Sequence, residues 1–367
     1  MGKLMRKATG LTVGVATLLA GLVLPMTASA ESASPIDASP IIHYSFDNAL
    51  TSKTIANEGS AANSDATLSG DATVANGQIN LTGSQTISVP TTAIAGKKDV
   101  TVSIWLKNNY GNGNTAAAYI GAAKTGNYPA NGYWLLNPAN PSGYAKSVMT
   151  NATAADPNNS PWGTEVGPGS TNAATTGTKA TSDLALYTTV ISGTNSTMSF
   201  YLNGKQVGDV TYTIPAGGLT NYGDLVAYIG KSSYADPNSK LDVDDYAVYD
   251  TAISAADVTK LYDAQVLDKA EAAVKAAVPA SATEDFALPT SAAGVSVAWK
   301  SDNAAIAVDN ATGKATVTRP AATAADAEVT LTATFGNNAK TAAYTVLVPK
   351  QLSDAEQAKA DLDAITI

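Results

Sequence analysis

An all-β protein is predicted: an antiparallel jelly-roll β-sandwich followed by a small Ig-like β-sandwich, with short linker helices. Three observations predict it. Apolar and polar residues alternate over many short runs, the half-buried strand pattern seen at Val100, Val102, Ile104 and Leu106. Turn residues separate the runs, most clearly Asn203-Gly204 between Tyr201 and Lys205, where a two-residue hairpin loop needs positive φ at both positions. Helix-forming composition is confined to the stretches after Ser254 and after Ser353, so the helices that a parallel α/β sheet places between its strands are missing.

In chain order, residues 1–30 have the layout of a secretory signal: Lys3, Arg6 and Lys7, an apolar run from Leu11 to Leu24, and Ala28-Ser29-Ala30 as the cleavage site. A secreted product is expected, with residues 31–40 as a spacer. There is no cysteine, so neither a disulfide framework nor a lipid-attachment site exists and the cores must be hydrophobic. Removing the three basic residues of the signal takes the formal charge from −9 to −12. Nucleic acid and, once the signal is removed, membrane are therefore poor partners.

From Ile41 the pattern is β: IIHYSFD, QINLT and QTISV around Gly83-Ser84, VTVSIWLK, then Leu184 to Ser192 and Thr197 to Leu202. Between Lys107 and Asp183 the chain is rich in Asn, Gly and Pro and carries Tyr110, Tyr119, Tyr128, Tyr133, Trp134, Tyr144 and Trp162. This stretch reads as a long, aromatic, functional loop region. Leu225 to Tyr262 reads as strand, loop, strand and short helix, with Ser254 and Asp257 as a capping-box-like start. Alternation puts Asp244 and Asp245 on opposite faces of the second strand, both mixed with apolar groups, so at least one needs N–H donors or a cation. Residues 263–278 form a linker helix. Residues 279–349 return to short strands around Trp299, an Ig-like sandwich with the Trp in its core. Lys359-Ala360-Asp361 echoes Lys269-Ala270-Glu271, and residues 350–367 read as the start of a further repeat in a longer protein.

Several of these runs carry a family resemblance. YIGKSSY at 228–234, the acidic pair and Val-Tyr of Asp244 to Tyr249, TAISAADV before Leu261-Tyr262, Tyr44-Ser45-Phe46-Asp47, Val102 to Leu106 and Phe200 to Gly204 together resemble LamG-like, concanavalin A-like jelly rolls over residues 41–265. Residues 266–349 are similar to the atrophied bacterial Ig-like modules that follow such domains in secreted actinobacterial glycoside hydrolases of family 43. The resemblance implies a non-catalytic accessory role beside a catalytic domain, with plant-type arabinan or arabinoxylan as the partner.

The residues themselves offer little chemistry. The only histidine is His43 on the first strand, where a structural role is expected over a catalytic one, and with no cysteine either, Ser-His-Asp or Cys-His chemistry has almost nothing to work with. The close acid pattern of sandwich glucanases is absent; Asp242, Asp244 and Asp245 are the nearest approach. Gly230-Lys231-Ser232 lacks the first glycine of a phosphate loop, and Asp236-Pro237-Asn238 lacks the Gly and Glu of an EF-hand. A structural calcium ion between Asp47 and Asp244 is one expectation, weighed against both acids simply accepting hydrogen bonds. For a saccharide, a ring face for the sugar's C–H groups is needed, and Trp162, between Pro161 and Gly163, is the first choice, with Trp134 and Tyr128 behind it. Three functions stay open: a carbohydrate-binding accessory segment, a structural or adhesive surface spacer, and a jelly roll that is itself a glycoside hydrolase.

Overall fold

Two antiparallel sheets face each other in the first two thirds of the chain. The computed structural model describes residues 36–125, 128–129, 132–151, 161–336 and 340–363; the expected signal segment and the first half of the spacer lie outside them. In the first sheet the strands run Lys205–Gln206, Thr197–Leu202, Ala185–Ser192, Asp99–Asn108, Lys240–Tyr249, Gln78–Thr82 and Thr73–Ala75, with Ile42–Tyr44 also paired to Lys240–Tyr249. The second runs Glu165–Val166, Lys146–Thr150, Tyr133–Asn137, Ala118–Ala122, Leu225–Ile229, Thr86–Val89, Ala66–Ser69 and Thr54–Ile55. Strands distant in sequence lie side by side, as a jelly roll requires. Val100, Val102, Ile104 and Leu106 meet Ile120, Trp134, Leu136 and Ile229 in one core between the sheets. The hairpin at Asn203-Gly204 forms with φ of 50° and 74°.

The aromatic stretch 107–183 corrects the loop reading. It contributes Ala118–Ala122, Tyr133–Asn137, Lys146–Thr150 and Glu165–Val166 to the second sheet. These strands are five residues or fewer, and the Gly, Asn and Pro of the turns between them dominate the local composition.

The strand Lys240–Tyr249 departs from simple alternation. Asp244 stands opposite Trp105 and Ala247 opposite Ser103, so one extra residue is inserted between them. Asp245 takes φ of 43°, the left-handed region that Asp tolerates better than most residues. The bulge keeps Val243 and Tyr246 in the core between the sheets. It also turns both aspartates toward the outer face, where alternation had separated them.

That outer face is covered by α1 (Ala255–Ala277), one continuous helix in place of the two pieces expected from sequence. Ser254 caps it, its hydroxyl accepting from the Asp257 N–H at 3.1 Å. At ~1.5 Å per residue it is long enough to serve two modules. Val258 and Leu261 pack under Tyr201 and Tyr249, and Val266 packs on Trp105. Ala270 and Val274 belong to the core of the Ig-like module. That module has a four-stranded sheet (Ser291–Ala292, Val295–Ser301, Ala327–Phe335, Lys340–Val348) and a three-stranded one (Phe286–Ala287, Lys314–Val317, Ile306–Asp309). Trp299 is in its core as expected, with its indole N–H donating to the Pro289 carbonyl at 2.8 Å.

Trp105 joins the modules. It is fully buried, yet on the outside of the sandwich, beneath α1: it stacks on Tyr262 at 5.8 Å, donates to Gln265 Oε1 at 2.9 Å, and touches the cluster that holds Ala293 and Val295 of the Ig-like module. Trp105→Ala is expected to cost ~3–5 kcal/mol, the range for truncating a buried Trp. Urea denaturation should show the midpoint falling for both modules together; loss confined to one of them would mean that they are not joined through this residue.

Candidate functional site

The outward face of the second sheet carries a chain of aromatic rings. Alternation on its short strands sends Trp134 and Leu136 inward and Tyr133 and Leu135 outward. Tyr228 stacks on Tyr119 at 6.2 Å and Tyr119 on Tyr133 at 5.8 Å, with Lys231 Nζ 4.1 Å from the centre of the Tyr228 ring. Tyr133 lies across from Gly121, where a Cβ would come within 2.5 Å of the Tyr133 Cβ, so glycine there makes room for the tyrosine. The loop between Gly230 and Ser239 folds over this face. The Ser239 N–H donates to the Gly230 carbonyl at 2.8 Å, closing the loop, and the Ser233 hydroxyl ties it to the Ala122 carbonyl. Tyr234 then meets Tyr133 edge-on at 5.5 Å, and Trp162 meets Tyr234 at 5.9 Å.

Around the end of this chain lies a cleft of about 490 Å³, lined by Trp162, Tyr234, Tyr133, Leu135, Lys146, Glu165 and Asp236 among others. The volume falls in the ~300–1,000 Å³ range of ligand sites. Glu165 is buried and fully engaged. Its Oε1 accepts from Tyr133 Oη at 2.7 Å; its Oε2 accepts from the Thr171 N–H and hydroxyl, both at 2.9 Å, and lies 2.8 Å from Lys146 Nζ. Asn140 is saturated too, its amide donating to the Gly169 and Ala174 carbonyls while its oxygen accepts from the Ser142 and Tyr144 N–H groups. These two side chains therefore set the shape of the wall. Asp236, Asn114 and Ser142 are exposed at the cleft.

Of the residues expected from sequence to carry a sugar, Trp162 lies in the cleft, half-buried in the 3-10 turn Pro161–Thr164. Trp134 is a correction. It is fully buried between the sheets, with its indole N–H donating to Ser147 Oγ at 3.2 Å, because strand alternation turns it inward and leaves Tyr133 on the outside. The side chain of Tyr128 is outside the described residues. Sequence reasoning missed Tyr234, Lys146, Glu165 and Asp236. Tyr234 ends the YIGKSSY run, and an aromatic in a polar loop was the one signal available; the Lys146–Glu165 pair has no spacing that marks it.

The acids proposed for calcium lie elsewhere, beside α1. Lys269 Nζ is 2.7 Å from Asp244 Oδ1 and also contacts Asp245 Oδ2. Asp245 Oδ1 is 3.0 Å from His43 Nε2, and Glu58 Oε2 is 3.6 Å from His43 Nδ1. Asp47 interacts with the charges of Lys269, Asp245, Glu58 and His43 from an exposed position. Asp244 does not fit a calcium site here, since the Lys269 ammonium already occupies the place of a cation at its Oδ1. Among the described residues no group of three or more His, Asp or Glu side chains is placed to hold a metal ion. Chelation with EDTA is accordingly expected to leave the melting temperature unchanged; a drop reversed by calcium would restore the metal reading.

Burial pushes Asp244 up to about 8, helped by the negative charge of Asp245 and opposed by Lys269. In Asp245, burial is outweighed by the hydrogen bond from His43 and the charge of Lys269, so its carboxyl stays below the usual range. Burial alone would lower His43, but the hydrogen bond and charge of Asp245, with Glu58, raise it above its ordinary 6.5. Asp244 and His43 thus hold protons more tightly folded than unfolded. Their contribution is complete below the unfolded values of 3.8 and 6.5 respectively, and is lost as pH rises, through about 8 for Asp244. Asp245 works the other way, its contribution being lost as pH falls below 3.8. A melting temperature higher near pH 5 than near pH 8 is expected, and Asp244→Asn, which mimics the protonated acid, should shrink the difference. An equal difference in that variant would place the titration elsewhere.

Residues 81–259 match the family model described as the concanavalin A-like lectin/glucanases superfamily, and residues 266–351 match the atrophied bacterial Ig domain. The sandwich itself begins earlier, at Ile42–Tyr44. No curated protein matches the chain. Among solved structures it is similar to domain 4 of AbnA, a GH43 extracellular arabinanase from Geobacillus stearothermophilus, in complex with arabinotriose: 19% identity, TM-score 0.42, covering 61% of this chain and 98% of that one. A Trypanosoma rangeli sialidase in complex with 2,3-difluorosialic acid gives 11% identity and a TM-score of 0.41, over 62% of this chain and 33% of the sialidase. The receptor-binding domain of a botulinum neurotoxin mosaic serotype C/D gives 15% identity and 0.43, over 84% of this chain and 72% of that one.

Proposed function

We propose that this chain, a concanavalin A-like domain followed by an atrophied bacterial Ig domain, is a secreted, non-catalytic carbohydrate-binding segment that positions a polysaccharide-degrading enzyme on its substrate. The observation that carries the reading is the cleft on the outer face of the second sheet, where Trp162 and Tyr234 supply aromatic surface beside exposed polar groups. A saccharide presents C–H faces to rings and hydroxyls to polar side chains, and this lining offers both. Binding is favoured over hydrolysis because Glu165, the one buried acid among the described residues of the cleft, is held by Tyr133, Thr171 and Lys146, so that it is not poised as a proton donor opposite Asp236. For the saccharide we propose arabinan or arabinoxylan, on the resemblance of the module order to the front of family 43 enzymes.

A second reading, a structural spacer, is favoured by α1, whose two ends belong to different cores. The two readings are compatible, since a rigid connection holds a binding face in a fixed direction.

Calorimetry of residues 31–367 with arabinan and arabinoxylan tests whether the chain binds a saccharide in addition to acting as a spacer. Stacking of a ring on an aromatic surface is worth ~1–3 kcal/mol by analogy with nucleobases, so Trp162→Ala should weaken binding about tenfold to a hundredfold. Full affinity in that variant would remove the cleft as the site, and no binding by the native chain would leave the spacer role alone.

A further inference from the structure

Resting on that reading, we propose that the cleft takes neutral saccharides and rejects acidic ones, and that Asp236 is the residue that sets this choice. Among the described residues three charged side chains line the cleft: Lys146, Glu165 and Asp236. The ammonium of Lys146 lies 2.8 Å from Glu165 Oε2, and the Glu165 side chain is only 1% exposed, so the cation is committed to a buried partner that a ligand cannot displace cheaply. Asp236 is in the opposite situation. It is exposed at the cleft, on the loop that carries Tyr234, and among the described residues it has no hydrogen bond or ion pair, only the longer-range charge of Lys146.

An ionised carboxylate is an acceptor-only group with two oxygens, able to take hydrogens from two hydroxyls. Neighbouring hydroxyls of a neutral sugar satisfy it. The carboxylate of a uronic or sialic acid has no hydrogen to offer and brings a like charge, while the Lys146 ammonium is already engaged by Glu165. Two unit charges ~5 Å apart in a largely solvated site repel enough to weaken binding about tenfold. The formal charge, −9 on the full sequence and −12 without Lys3, Arg6 and Lys7, acts in the same direction at longer range. Asn114 and Ser142, exposed at the same cleft, add uncharged donors and acceptors that suit hydroxyls.

The test is calorimetry of residues 31–367 at 150 mM salt with neutral arabino- and xylo-oligosaccharides, a glucuronic-acid-substituted xylo-oligosaccharide, and sialyllactose. The native chain is expected to bind a neutral member at least tenfold more tightly than the acidic ones, and the gap should widen at low salt. Asp236→Asn, with an unchanged melting temperature, should weaken the neutral ligand severalfold and narrow the gap to less than about threefold. Acidic ligands binding the native chain as well as neutral ones would overturn the proposal while leaving carbohydrate binding intact. A gap unchanged in Asp236→Asn would overturn the role of Asp236. Binding of none of the saccharides would overturn this proposal together with the reading on which it rests.

Discussion

The ammonium of Lys269 lies against two adjacent carboxylates, Asp244 and Asp245, with no more than 14% of any of the three side chains exposed. Two buried acids side by side would repel each other and lose their hydration; a cation between them, and a proton retained on Asp244, make the arrangement tolerable. The bulge at Asp245 creates the need, because it brings both side chains to the outer face of the sheet. Lys269 meets it and thereby fixes where α1 crosses that face. From the same position Gln265 reaches the Trp105 indole, Val266 covers it, and Ala270 and Val274 enter the Ig-like core. A buried ion pair adds little net stability on average, but losing one member is costly, which makes it a device for specifying position.

The opposite face of the sandwich solves a different problem. An outward sheet face rich in tyrosine needs cover, and the loop between Gly230 and Ser239 supplies it with Tyr234, leaving a cleft at the edge where Trp162 stands. The wall of that cleft is built from saturated polar groups, Glu165 and Asn140, which hold short strands and turns in place. Rigid walls with a few uncommitted groups at the rim suit recognition of a hydroxyl-rich ligand better than chemistry on it.

Much of the fold was legible because strand alternation and turn chemistry are local. The Asn203-Gly204 hairpin, the Ser254 cap and the core position of Trp299 each follow from neighbours in sequence. The failures share a cause, since each depends on partners far along the chain. Alternation separated Asp244 from Asp245 because a bulge is invisible without the opposing strand; the need for a cation was legible, its identity as Lys269, 25 residues on, was not. Trp134 and Tyr133 are adjacent and equally aromatic, and only the register with Ala118–Ala122 and Lys146–Thr150 decides which one faces out. The cleft joins residues from Asn114 to Asp236, so Trp162 was found by its flanking Pro and Gly while Tyr234 and Asp236 were passed over.

A saccharide held as proposed, at the outer face of the second sheet in the cleft beside Trp162, leaves a footprint that can be measured directly. Hydrogen–deuterium exchange on residues 31–367, with and without a saturating arabino-oligosaccharide, locates the ligand without altering the protein. Slower exchange is expected only in the backbone around Asn137 to Lys146, Trp162 to Thr171 and the Gly230–Ser239 loop, three segments that line the cleft. Protection centred on the first sheet, on α1 or on the Ig-like module would contradict it.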